Sequence, residues 1–274
     1  MNKTQWAVLL GAVLIFVLLY FAPGVGSSKD APKNAGENVS EHGIEVHMEE
    51  FLKELAADQV ELISSLQKQA VLAQGEEKVQ LLDSLIKLWD ANKNPVASAV
   101  FAFNKAKAEP SKDNWSHAAE RLYYSARFAE GHLQSHVYEK AIESYQELLI
   151  IHPDNVDAQI NLGVCYVESS KNPMQGIGML KEVLVRDSLN VKAHLNLGYF
   201  SLKSGQYDKA IERFEKVVLI DSTYVEAYLY LGDVYETKGN IEQAIEHYSA
   251  YANNVKNPEL SAQIDSYIEK LKSN

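Results

Sequence analysis

The chain has 274 residues, 46% of them hydrophobic, and a formal net charge of −11. That length and apolar content exclude a chain disordered throughout and suit one or two domains with a real core. The acidity argues against a nucleic-acid partner, which needs clustered Lys and Arg, and against adsorption to anionic lipid by charge. Cys165 is the single cysteine, so no intrachain disulfide can form, and the redox compartment stays open.

Residues 1–5 read as a short tail ahead of an uninterrupted apolar run, Trp6 to Ala22. At about 1.5 Å per residue the run nearly spans a hydrocarbon core of roughly 30 Å, given modest thinning. Trp6, Tyr20 and Phe21 stand near its ends, where interfacial aromatics belong. A cleaved signal peptide is the alternative, but its apolar core spans about 7–15 residues and ends in a small-x-small site. This run is longer, and Tyr20-Phe21-Ala22-Pro23 makes a poor cleavage site, so residues 6–22 are expected to be an uncleaved transmembrane anchor. Lys3 precedes the run while Lys29 and Lys33 follow it, which leaves almost no charge asymmetry. The very short N-terminal tail places the C-terminal body outside the cytoplasm. Residues 23–43, rich in Gly, Ser, Pro, Asn and charge and without apolar periodicity, read as a flexible linker.

From Glu45 onward the periodicity is helical. Met48, Phe51, Leu52, Leu55, Leu62, Ile63 and Leu66 recur at three- and four-residue steps, predicting one amphipathic helix ended by Gly75. Leu81, Leu82, Leu85, Ile86, Leu88 and Trp89 predict a second, running to Asn92. Pro95 suits the first turn of a third, which carries Val100, Phe101 and Phe103 and stops near Pro110. No segment shows sustained strand alternation, so the fold class is all-α.

A line then recurs: Ala158-Gln-Ile-Asn-Leu-Gly163-Val-Cys-Tyr166, Ala193-His-Leu-Asn-Leu-Gly198-Tyr-Phe-Ser201 and Ala227-Tyr-Leu-Tyr-Leu-Gly232-Asp-Val-Tyr235, with glycines 35 and then 34 residues apart. A fixed period of that size marks a solenoid of helical hairpins. Ala141…Tyr145…Pro153, Ala210…Phe214 and Ala244…Tyr248 supply a matching second half, and Gly205 and Gly239 are placed to cap the first helices. These lines resemble the tetratricopeptide-repeat family, whose 34-residue hairpin carries Trp-x2-Leu-Gly-x2-Tyr in its first helix and Ala-x3-Phe with a following Pro in its second. The chain departs from that pattern. Gly176 replaces the expected Ala, Lys171-Asn-Pro173 adds one residue, Ser188 and Ser222 stand where Pro is common, and Ala141 arrives about ten residues late, implying an extended helix or a loop around Gly131 to Ser135.

The resemblance implies a right-handed α-solenoid. Residues 44–110 form a helical region with a divergent hairpin, followed by an extended repeat at 111–154, repeats at 155–190, 191–223 and 224–257, and a capping helix at 258–274. It also implies that the first helices line a concave face able to take a protein or peptide. Carried onto this chain, the lining residues are Asn161, Lys192, Asn196, Tyr199, Lys203, Glu226, Tyr230 and Asp233. An asparagine can hydrogen-bond a peptide backbone through both its C=O and NH2 groups. The alternative for Asn161 and Asn196 is an ordinary repeat position, solvated or bonded to a neighbouring helix. The carboxylate clamp of one eukaryotic subtype is not carried over, since Ser116 and Glu120 stand where Lys and Asn would be needed and Asn196 replaces the Arg.

His132-x3-His136 has metal-ligand spacing if helical, but no HExxH motif or cysteine pair accompanies it, so solvated histidines are expected and no cofactor or metal. Cys165, beside a Leu-Gly pair and without a partnered His, reads as a buried structural thiol. No phosphate-binding glycine loop or nucleophile elbow is present. The expectation is therefore a non-enzymatic scaffold tethered by residues 6–22 to a bacterial inner membrane, with its body in the periplasm. A soluble periplasmic adaptor and an enzyme with a cryptic metal site are the alternatives. The partner's identity and the oligomeric state are not legible.

Overall fold

The computed structural model describes residues 35–273. The chain divides into two units, residues 1–39 and 40–274, and of the first only the opening of one helix is described. The expected anchor at 6–22 lies outside the described residues. Among the described residues no helix is long and apolar enough to cross a membrane.

The described residues form helices joined by short turns, with no strand among them. Helix α1 spans Ala35–Leu52, α2 Ala57–Leu72, α3 Gly75–Ala91 and α4 Pro95–Ala108. Helix α5 spans Lys112–Ser125 and leads through a 3-10 turn, Ala126–Phe128, into α6 at Gly131–Ile151. Then follow α7 Val156–Glu168, α8 Pro173–Arg186, α9 Val191–Lys203, α10 Tyr207–Ile220, α11 Val225–Thr237, α12 Ile241–Asn254 and α13 Pro258–Ser273.

Three expectations are corrected. Helix α1 begins at Ala35, so the last nine residues assigned to the linker are helical. Within the second unit, Ile44 and Met48 of α1 enter the core, which gives that segment the apolar anchor its polar composition hides. The single helix expected from Glu45 to Gly75 is two, because Ala56 is extended (ψ 146°) and starts a new helix. Phe51, Leu52 and Leu55 all pack on the core, and i→i−3 bonds from Lys53, Glu54 and Leu55 tighten the turn between. Gly75 does not end a helix but opens α3 at φ +55°, after α2 has stopped at Leu72.

Other local signals act as their chemistry requires. Pro95 opens α4 behind Asn94, whose side chain accepts from the Ala97 N–H at 3.0 Å. Asn155 and Asn190 cap α7 and α9 in the same way. Gly205 and Gly239 sit at φ +72° and +78° just past α9 and α11, where a side chain would be strained. Where Ser188 and Ser222 replace proline, the preceding aspartates hold the turn. Asp187 accepts from the Leu189 N–H and Asp221 from the Thr223 N–H.

The extra length before Ala141 is resolved as helix. Helix α6 has 21 residues, and its added N-terminal part carries Leu133, His136 and Val137. A Cβ placed on Gly43 would lie 2.9 Å from His136 Nδ1, so α1 rests closely on those added turns.

The core is a chain of four clusters taken in sequence order rather than one centre. Tyr123, Tyr199 and Tyr235 each touch two successive clusters and so join one to the next. Trp89, Tyr145 and Phe214 are its largest fully buried side chains. Each is worth roughly 1.5–3 kcal/mol of burial.

Within a hairpin the approach of the helices is set by glycine. A Cβ on Gly198 would meet the Phe214 ring at 2.6 Å, and one on Gly232 the Tyr248 ring at 2.5 Å. In α7/α8 the ring is replaced by Leu180, and Gly176 stands in place of alanine. There the two backbones close in until a Cβ on Gly176 would strike the Gly163 carbonyl oxygen. Gly178, further along α8, faces open space. Gly176→Ala should therefore destabilise the protein by about 1–3 kcal/mol through overpacking, while Gly178→Ala should stabilise it by about 0.5–1 kcal/mol through helix propensity. Paired urea denaturation curves check both signs.

Candidate functional site

Helices α7, α9 and α11 carry the recurring line, so residues 35 and then 34 apart hold equivalent places. One row runs Asp157, Lys192, Glu226. Others run Val164, Tyr199, Asp233, then Val167, Leu202, Glu236, then Glu168, Lys203, Thr237. The chemistry of two of these rows changes along the stack, Val164 and Val167 on α7 giving way to Tyr199 and Leu202 on α9 and to Asp233 and Glu236 on α11.

Adjacent first helices are joined by ion pairs at these rows. Lys192 Nζ lies 2.7 Å from Asp157, and Lys203 Nζ lies 3.0 Å from Glu168. Lys203 also stands over the Tyr199 ring, 5.4 Å from its centroid. Such exposed pairs contribute at most about 1 kcal/mol each. Their larger effect is to leave the α7 carboxylates compensated.

Asn161, Asn196 and Tyr230 hold one equivalent place, but each has its own partner. Asn161 donates to the Tyr145 hydroxyl at 3.1 Å. The residue equivalent to Tyr145 in the next hairpin is Leu180, which offers no polar atom, and Asn196 donates instead to the Lys192 carbonyl of its own helix. Tyr230 stacks on Phe214 at 5.1 Å and meets Tyr199 at 5.7 Å. Glu226 is exposed at the start of α11.

Asp233 belongs to a different arrangement, with Glu236, Tyr248 and Tyr267. Spacing alone did not single out the last three as a site, because they meet only once α12 and α13 have folded against α11. The Tyr248 hydroxyl lies 2.8 Å from Asp233 and 2.8 Å from Glu236, and the Tyr267 hydroxyl donates to Glu236 at 2.6 Å. One Tyr248 proton cannot serve both carboxylates at once. Burial pushes the Asp233 carboxyl above the usual carboxylate range, against the Tyr248 hydrogen bond and with Glu236 adding to the rise. These residues, with Leu229 and Ile264, line an open cleft of about 440 Å³. A second cleft, of about 550 Å³, lies at Gln159, Met179 and Arg186, where the guanidinium already donates to Gln159.

His132 is exposed and His136 packs against Gly43. Among the described residues no group of three His, Cys, Asp or Glu side chains could hold a metal ion. Cys165 is fully buried, and burial, with the Glu168 carboxylate adding to it, pushes its thiol far above the ordinary range. A thiol held protonated is a packing group, not a nucleophile. Ser116 is tied to Glu120 at 3.1 Å.

Helical hairpins stacked at a fixed period, each touching its neighbours, define a helical-repeat protein. Family models described as TPR repeat and tetratricopeptide repeat match residues 201–239 and 226–257, so this part of the stack is built of tetratricopeptide repeats. The crystal structure of PilW, a widely conserved type IV pilus biogenesis factor, superposes with a TM-score of 0.51 at 19% identity, covering 73% of this chain and 88% of that one. The thermophilic repeat protein TTC0263 of Thermus thermophilus is similar at a TM-score of 0.49 and 20% identity, over 69% of this chain and 97% of that one. The RNA polymerase-associated protein CTR9 of Saccharomyces cerevisiae is 40% identical over 83 residues, which is 29% of this chain but 7% of that protein's length.

The raised position of Asp233 has a thermodynamic sign. A carboxyl whose folded pKa lies above its unfolded value supports folding at low pH and loses that support as pH rises through the folded value. Asp233→Asn keeps an acceptor for Tyr248 and removes the charge. Its urea midpoint should exceed that of the wild type at neutral pH, and the difference should disappear once the solution is acidic enough to protonate Asp233 in both states. Urea midpoints measured across that range check the sign.

Proposed function

We propose that this chain is a membrane-tethered scaffold. Residues 6–22 anchor it, and the repeat body binds an extended segment of a protein partner along a concave face formed by α7, α9 and α11. The observation that carries this reading is the row of polar and aromatic side chains at equivalent places on successive first helices, Asn161, Asn196 and Tyr230 in one row and Asp157, Lys192 and Glu226 in another, at a spacing set by the repeat. An extended peptide presents side chains on alternate faces at a regular rise, and such a row can engage several of them at once. The body lies outside the cytoplasm on this reading, and the scaffold serves assembly or chaperone-like handling at a cell envelope.

Photo-crosslinking and pull-down from intact cells test the face. Lys192→Glu/Lys203→Glu should keep its fold, which circular dichroism checks, since the Lys192–Asp157 pair is exposed and the Lys203 side chain half exposed, yet lose most captured partners. An unchanged set of partners overturns the face. A reporter fused at the C-terminus tests the tether, and activity only for a cytoplasmic reporter overturns the orientation. A mature protein whose intact mass lacks residues 6–22 overturns the anchor and favours the soluble adaptor.

A further inference from the structure

We infer that the cleft between α11, α12 and α13 is a receptor for a lysine or arginine side chain of the partner segment, an inference that rests on the partner-binding reading of this face. The cleft has the shape and lining for such a side chain. Leu229 and Ile264 are apolar walls against which an aliphatic stem can lie. The Tyr248 and Tyr267 rings stand edge to face, 5.6 Å apart, and offer π surface to a cation. Asp233 and Glu236 supply the acceptors. They share the hydroxyl protons of two tyrosines, which leaves lone pairs open to further donors.

The acids of the cleft differ from those earlier in the stack. On α7 the carboxylates of Asp157 and Glu168 each receive a lysine from α9, the next first helix, whereas Asp233 and Glu236 stand on rows that hold Val164 and Val167 on α7. The place of a next first helix beyond α11 is taken by α13, which brings Ile264 and Tyr267 to the cleft and no lysine. Among the described residues no lysine or arginine pairs with Glu226, Asp233 or Glu236. The nearest basic residue in sequence, Lys238, is engaged with Asp208 at 2.5 Å. A half-buried pair of carboxylates without a cation is costly to hold, and Asp233 bears that cost in its raised pKa. An organic cation fits better than a metal ion, because among the described residues no third His, Cys, Asp or Glu joins the two carboxylates. The charged head then completes the acceptors while the tyrosine rings shield the contact from water.

The test uses the full chain in detergent and an immobilised library of extended nonapeptides in which one position is lysine, arginine, norleucine or citrulline. The wild type should capture peptides with lysine or arginine favoured at one position, and norleucine or citrulline there should weaken binding about tenfold, as expected for a lost charged hydrogen bond. Asp233→Asn/Glu236→Gln should still capture peptides, abolish that basic preference and leave the unfolding midpoint no lower than the wild type's. Capture without a basic preference, or a preference that survives in Asp233→Asn/Glu236→Gln, overturns the cleft assignment and leaves the partner-binding face standing. No capture of any peptide, with Lys192→Glu/Lys203→Glu indistinguishable from the wild type, overturns both. A calcium-dependent change in Tyr267 fluorescence or ring shifts that blocks no peptide would assign the carboxylates to a metal and likewise overturn the inference.

Discussion

The hairpins α7/α8, α9/α10 and α11/α12 each close on a glycine, and the regularity of that part of the stack follows from the contact. At Gly198 and Gly232 the absent side chain makes room for an aromatic ring from the second helix, Phe214 and Tyr248. At Gly163 the second helix brings Gly176 and Leu180 instead, and the backbones themselves approach. The two solutions are coupled pairs. A ring needs one glycine, and the loss of the ring is compensated by a second. The distance between helices in turn decides which side chains of the first helix remain on the open face and which join the core. The rows of charged and aromatic residues on α7, α9 and α11 are thus regular because the crossings behind them are regular.

The repeats were legible because their determinants are local or lie within one hairpin. Pro95, Asn155, Gly205 and Gly239 act through bonds to residues a few positions away, so composition is enough to read them. What escaped depends on contacts between elements distant in sequence. The turn at 53–56 contains neither Pro nor Gly, and Ala56 is extended because Phe51, Leu52 and Leu55 must all reach the core. The start of α1 at Ala35 lies in polar sequence whose helical continuation is rewarded only at Ile44 and Met48. The direction in which Asn161 turns is decided by a hydroxyl sixteen residues earlier, and Asn196 turns elsewhere because Leu180 lacks one.

The same division runs through the candidate site. Asp233 was legible by its place in the repeat, whereas its neighbours were not. Glu236 and Tyr248 read as ordinary repeat positions, and Tyr267 as part of a solvating cap. Their convergence needs α13 to stand where a further first helix would be, and periodicity ends before that helix begins. The acid-rich composition of the chain points to solvated surfaces in general, yet at this end of the stack two of the acids are half-buried beneath tyrosines.

Helix α13 has one buried side chain, Ile268, and the rest of its hold on the stack comes from contacts such as Ile264 and the Tyr267 hydroxyl. A helix held by so few buried side chains opens at a lower free energy than the stack as a whole. Two of its residues are also walls of the cleft, so the open and closed states of this helix differ in whether the cleft exists. Whatever fills the cleft binds only the docked state and therefore lengthens the time the helix spends docked. The C-terminal end of the stack is in this sense an equilibrium rather than a fixed wall, and amide exchange in α13 reports occupancy of a site whose polar groups lie mostly on other helices.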